Sequence, residues 1–196
     1  MTESQANESV EHLFEGARTH NAWLDRDVSE EVLRQLYSRL RWAPTSANSN
    51  PGRFVFLRSQ AAKQRLAPHL SPLNAEKTMA APICVIVAAD TQFYDKLPQL
   101  FPARDMRTLF ADAPLLAEET AIRNAILQGG YLILAARSLG LDCGPMSGFS
   151  RAGVDQEFFP DGRWKSNFLI NLGYGDKEKV WPRNPRLNFD EACLVL

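Results

Sequence analysis

Apolar positions recur at helical spacing early in the chain. Val10, Leu13, Phe14 and Ala17 predict a short first helix behind a polar tail over residues 1–8. A second helix is expected to start after Ser29, whose hydroxyl suits an N-cap, with Glu30 and Glu31 in the positive first turn. Val32, Leu33, Leu36, Tyr37 and Leu40 form its apolar stripe, and Pro44 stops it. Residues 44–52 are all small, polar or turn-forming and predict a loop rich in donors and acceptors.

Farther on, Phe54-Val55-Phe56-Leu57 reads as a strand and Gln60 to His69 as a helix. The unbroken apolar run Ile83 to Ala89 predicts a strand covered on both faces. Residues 91–113, with Pro98 and Pro102 in no clear period, are expected to be a mobile insertion or lid. Pro114 to Leu139 then reads as a long helix, apolar on most faces and closed by Gly140. Gly129 and Gly130 in its middle lose about 1 kcal/mol each relative to alanine, which predicts close approach of another helix, of this chain or of a partner subunit. Gly144 to Phe149 reads as a turn-rich loop, Ala152 to Phe158 as a short helix and Phe168 to Gly173 as the last strand. Residues 180–196 read as an extended arm. No repeat or linker divides the chain, so one domain over residues 1–196 is expected, with strands and helices interleaved as an α/β or α+β sandwich.

Composition narrows the class. With 45% apolar residues, 11 Phe and 4 Trp, 196 residues suffice for a core without disulfide staples. Lys and Arg (22) against Asp and Glu (23) leave a net charge of −1, which gives no general field for nucleic acid or an anionic membrane. Cys84, Cys143 and Cys193 are widely spaced, form no C-x-x-C pair and suit free thiols in a reducing compartment. No leader-like apolar segment and no run of about 20 apolar residues is present, so a cytoplasmic protein is expected.

Candidate chemistry is local. Arg18, His20, Arg183 and Arg186 would suit a phosphate if the fold joined the two ends of the chain; by composition alone they are ordinary surface side chains. Thr45, Ser46 and Asn48 offer donors and acceptors to a flat polar ring, or equally to their own turn. Asn74 and Lys77 share a helical face if a helix forms there, and Pro145-Met146-Ser147-Gly148 presents either backbone N–H groups or a plain turn. Other signatures fail. Gly173-Tyr174-Gly175 has Glu178 where a dinucleotide fingerprint needs its third glycine, and His12, His20 and His69 lack metal-ligand spacing. No Walker loop, nucleophile elbow or activated cysteine is present, so if the chain is an enzyme a cofactor is expected to carry the reaction.

Taken in order, Arg18-Thr19-His20-Asn21, Pro44-Thr45-Ser46-Ala47-Asn48-Ser49-Asn50-Pro51, Gly144-Pro145-Met146-Ser147-Gly148-Phe149 and Asn171-Leu172-Gly173-Tyr174-Gly175 resemble the FMN-dependent nitroreductase family across nearly the whole chain. Within it they are most similar to the RutE-type branch, the malonic semialdehyde reductases of pyrimidine catabolism. The resemblance implies an α+β sandwich, a central mostly antiparallel sheet flanked by helices, with the C-terminal arm exchanged in a homodimer. It implies FMN held noncovalently at the interface by both subunits, and NADH or NADPH as reductant.

Position by position, Arg18, Thr19 and His20 match the family's phosphate-binding segment, and Arg183, with Arg186 as a neighbour, its C-terminal phosphate arginine. Pro44, Thr45, Ser46 and Asn48 match the loop that reaches the flavin from the second subunit. Asn74 matches the asparagine at the ring's pyrimidine edge, Lys77 its accompanying lysine, and Pro145, Met146, Ser147 and Gly148 the segment passing the flavin N5. Many relatives carry a glutamate at Ser147 and a lysine at Ala22; the RutE-type branch shares the serine. The implied reaction is hydride transfer to malonic semialdehyde, giving 3-hydroxypropanoate, with water or Ser147 as proton source and no other catalytic residue assigned. A broad nitro or quinone reductase and a non-catalytic flavin-binding protein are the alternatives.

Overall fold

The computed structural model describes residues 10–196; the polar tail expected over residues 1–8 lies outside them. Its helices are α1 Glu30–Leu40, α2 Gln60–Leu66, α3 Pro72–Ala80, α4 Leu97–Leu100, α5 Arg107–Ala111, α6 Pro114–Arg137, α7 Arg151–Phe158 and α8 Phe189–Ala192. Strands β1 Gly52–Leu57, β2 Ile83–Asp90, β3 Asp142–Met146 and β4 Trp164–Gly173 form one antiparallel sheet in the order β1-β2-β4-β3. The architecture is α+β, with helices on both faces of an antiparallel sheet.

The apolar run of β2 is continuous because both faces are covered. Ile83, Val85 and Val87 pack with Leu36 and Leu40 of α1, Leu132 of α6 and Ile170 of β4. Their neighbours Cys84, Ile86 and Ala88 point the other way, toward Leu66 of α2, Val154 of α7 and Leu169. Local signals set several boundaries. Ser29 accepts from the Val32 N–H at 3.3 Å and starts α1. At the far end of α6 the Leu141 N–H reaches the Ala136 carbonyl and the Gly140 N–H the Arg137 carbonyl, both bonds closing around Gly140 at φ 75°.

Other segments differ from expectation. The stripe at Val10 to Ala17 yields only one π-helical turn, Glu11–Glu15, with no buried residue, so no tertiary packing stabilises a longer helix there. Residues 91–113 are a folded unit rather than a loose lid: Phe93, Leu97 and Phe110 are buried and pack on Ala117, Ala121 and Ala125 of α6. The close approach at Gly129 comes from the sheet, since a Cβ there would run into the Phe168 ring, while Gly130 faces open space. The expected loop Gly144 to Phe149 begins as strand. Its turn-forming residues are overruled by pairing with β4, and Pro145 sits exposed on the sheet edge, where a missing N–H is tolerated. The arm has no regular structure before α8 and is exposed from Trp181 onward.

Candidate functional site

Residues 18–26 run along the β3–β4 end of the sheet. The His20 N–H donates to the Cys143 carbonyl at 3.0 Å, Leu24 N–H to Tyr174 at 2.8 Å, and Asp176 N–H to Ala22 at 3.0 Å. Thr19 bridges to Cys143. His20 is buried: its Nε2 lies 3.3 Å from Asp142 Oδ1, whose other oxygen accepts from the Gly175 N–H at 2.9 Å. The imidazole therefore locks this segment to β3, and its Nδ1 is buried without a partner among the described residues.

The fold does join the two ends of the chain. Arg18 Nη2 donates to the Trp181 carbonyl, and Arg183 Nη2 donates to the Glu15 and Ala17 carbonyls at 2.5 and 3.2 Å. Both guanidiniums keep further N–H donors, each having five. Among the described residues Arg186 bonds only its neighbours Asn184 and Pro185. Arg18 and His20 also line a cavity of about 280 Å³ with His12, Arg137, Asp142 and Lys177.

Beside this clip, α3 presents Asn74 and Lys77 one turn apart. Asn74 is buried and donates from Nδ2 to the Gly148 carbonyl at 2.9 Å; the same carbonyl accepts from the Ser71 N–H at 3.0 Å. A Cβ at Gly148 would stand 2.6 Å from Asn74 Nδ2, so only glycine lets the backbone come this close. Lys77 Nζ donates to Asn21 Oδ1 at 3.2 Å, and burial holds its ammonium below the usual lysine range. Met146 is buried, with Thr78 Oγ1 3.6 Å from its sulfur, whereas Pro145 and Ser147 are exposed. Lys63, buried in α2, secures α3 from behind: Nζ donates to the Met79 and Ala81 carbonyls at 2.8 and 2.6 Å, at the helix's negative end.

The Pro44 to Asn50 loop lies elsewhere, leading into the β1 edge. Four strands set it roughly 14 Å or more from the β3 edge. Thr45 Oγ1 accepts from the Asn50 N–H at 3.1 Å, the turn-capping use, and Asn48 Nδ2 donates to the Leu100 carbonyl at 2.8 Å. Ala47, Asn48 and Asn50 have φ of 50°, 48° and 43°, strain that the surroundings must hold in place. Asn124 and Gln128, buried and one turn apart on α6, do so by accepting from the Ser46 and Gly52 N–H groups at 2.8 and 2.7 Å. Sequence reasoning missed them; the available signal was an (i, i+4) polar pair inside an otherwise apolar helix. Asp142 was missed as well, as no local pattern marks it.

The thiols are not part of this chemistry. Cys84 and Cys143 are buried, and desolvation pushes each up to about 12, while Cys193 is exposed. A thiol reagent at about pH 8 is expected to leave Cys84 and Cys143 unlabelled in the native protein and to label all three cysteines after denaturation. Fast native labelling of Cys84 or Cys143 would contradict this. Because the folded thiols ionise above the ordinary value of 9.0, their contribution to stability is complete below pH 9.0 and is lost toward about 12. Among the described residues no group of three or more His, Cys, Asp or Glu side chains could hold a metal, and no helix is long and apolar enough to cross a membrane.

The nitroreductase family model matches residues 15–174, and the chain belongs to that family. It is 61% identical over its full length to the whole of a Rhodopseudomonas palustris (strain TIE-1) protein provisionally named NADH dehydrogenase/NAD(P)H nitroreductase. A Ralstonia nicotianae protein of the same provisional name is 56% identical, over 95% of this chain and 96% of that one. Solved structures share the fold at low identity. A provisionally assigned nitroreductase from Bacillus subtilis has a TM-score of 0.88 at 20% identity, covering 98% of this chain and 100% of that one. One from Exiguobacterium sibiricum, in complex with FMN, has a TM-score of 0.82 at 19% identity, covering 94% and 96%.

Proposed function

We propose that the protein is an FMN-dependent oxidoreductase that moves hydride from NADH or NADPH to a small acceptor. The observation that carries this is the convergence of Asn74, Lys77, Asn21 and the Gly148 backbone beside the Arg18–Arg183 clip. A planar ring with polar edges and a charged tail fits that set: an amide and an ammonium for the ring, guanidinium donors for a phosphate, and a glycine where close approach is needed. When bound, FMN supplies the hydride-accepting and hydride-donating centre. The chain's own residues position and polarise. Lys77 favours negative charge at the ring edge, Asn74 fixes orientation, Arg18 and Arg183 hold the tail, and exposed Ser147, or water, delivers the proton to the product oxygen.

A second copy completes the site in this reading. Pro44, Thr45, Ser46 and Asn48 stand at the opposite sheet edge from Lys77 within one chain, so they serve a partner's site. Two apolar surfaces support a homodimer: Leu116, Ile126, Leu127 and Tyr131 on the outer face of α6, and Trp181, Leu187, Phe189 and Leu194 on the arm, which we propose is exchanged. All are substantially exposed.

For the acceptor, the motif resemblance favours malonic semialdehyde, giving 3-hydroxypropanoate in pyrimidine breakdown. The names of the relatives at 61% and 56% identity favour a broad nitroreductase. One preparation assayed with a semialdehyde and with a nitroaromatic separates them, the larger kcat/KM deciding. Purified protein is expected to be yellow and to release FMN on denaturation; a colourless protein that takes up no FMN overturns the cofactor. Arg18→Ala is expected to weaken FMN retention at least tenfold, as one or two charge-assisted bonds of about 1.5 to 3 kcal/mol are lost. Equal affinity in the variant removes Arg18 from the phosphate site.

A further inference from the structure

We propose that Asn21 is a positioning residue that fixes the Lys77 ammonium in place without neutralising it, so that the site keeps one directed positive charge for an electron-rich ring edge. The inference deepens the flavin reading and rests on it for what that charge meets.

The geometry is a two-point grip. Asn21 Oδ1 accepts from Lys77 Nζ at 3.2 Å, and two residues later Trp23 Nε1 donates to the Lys77 carbonyl at 3.3 Å. The gripping segment is itself held, by the His20 and Leu24 N–H groups, by the Ala22 carbonyl and by the bridge from Trp23 to Gly175. Asn21 therefore cannot drift with its lysine. Lys77 takes part in none of the ion pairs among the described residues, so a neutral amide oxygen is its partner and no carboxylate lies within 4.0 Å. A partly buried cation with a neutral partner attracts an anion more strongly than one already paired, because its field is less screened by water than at the surface and is not cancelled by a carboxylate. An aspartate at position 21 would accept the same bond and cancel the charge. Asparagine is the side chain of that shape that does one and not the other.

Two variants of the full-length protein test this. Asn21→Asp is expected to weaken binding of reduced FMN about tenfold more than binding of oxidised FMN, read in a redox titration as a midpoint about 30 mV more negative. Asn21→Leu keeps the charge but releases the ammonium. In the FMN-free protein its Lys77 is expected to react with acetic anhydride several-fold faster than in the parent, as mapped by mass spectrometry. Both variants should keep the parent melting temperature within a few degrees. An unchanged midpoint in Asn21→Asp, or an unchanged Lys77 acetylation rate in Asn21→Leu, overturns the proposal. Failure of the parent protein to bind FMN overturns instead the flavin reading, and the acetylation measurement still decides whether Asn21 holds Lys77.

Discussion

Asp90→Ala is expected to lower the unfolding free energy by about 3 kcal/mol. Asp90 ends β2 with its side chain 2% exposed and gathers three elements. Oδ2 accepts from Arg53 Nη2 of β1 at 2.6 Å, while Oδ1 accepts from Arg163 Nε at 3.0 Å and from the Gln92 N–H at 2.9 Å. The Asp90 carboxylate in turn holds the Arg163 guanidinium above its ordinary range. Removing it leaves Arg53 without its carboxylate, Arg163 with only the more distant Asp95 at 3.6 Å, and one N–H without its acceptor. Breaking a buried pair from one side typically loses about 3–5 kcal/mol. The lower end applies because the Arg53 and Arg163 side chains are 23% and 33% exposed, so water recovers part of their solvation. For a chain of this length the melting temperature should fall by roughly 6 to 12 °C. Asp90→Asn, which can still accept from Gln92, should lose about half as much. A denaturant midpoint and slope unchanged in Asp90→Ala would mean that the network contributes nothing to stability.

Gly148→Val is expected to raise the FMN dissociation constant about thirtyfold or more. The Gly148 carbonyl takes the Asn74 amide and the Ser71 N–H together, and a Cβ would stand 2.6 Å from Asn74 Nδ2 and 2.7 Å from Ser71 Oγ. A branched side chain must push α3 away from the end of β3. The two hydrogen bonds of about 1 kcal/mol each that hold α3 in its binding position are then lost; a ligand that must restore that position binds about thirtyfold more weakly, and Lys77 moves with its helix. Asn74→Ala should reproduce part of the loss without the steric displacement. Flavin-fluorescence titration measures both. A Gly148→Val protein that binds FMN within about threefold of the parent would show that the α3–β3 junction does not shape the cofactor site.

Particular segments show how far local pattern reaches. The run Ile83 to Ala89, the Ser29 cap and Gly140 each announce their role because the cause lies within a few residues: burial on both faces, an orphan N–H, a left-handed turn. The β3 edge does not announce itself. Gly144-Pro145-Met146 has turn-forming composition, and pairing with the distant β4 makes it a strand. Residues 91–113 look aperiodic because Phe93, Leu97 and Phe110 anchor three short pieces rather than one helix. The site residues were legible as types, and the family resemblance gave them roles; which of them meet was not legible.

The sequence by itself determined the helices at residues 30–40 and 114–137, the two-sided burial of the central strand and the chemical inventory of the loops, because those follow from periodicity and from side-chain type. Tertiary structure alone decided the meetings: Arg18 with Trp181 across 163 positions, Lys77 with Asn21 across 56, Ser46 with Asn124 across 78. Strand order sets such encounters. A polar group's partner is whatever the sheet brings within about 3 Å, and no local spacing encodes that.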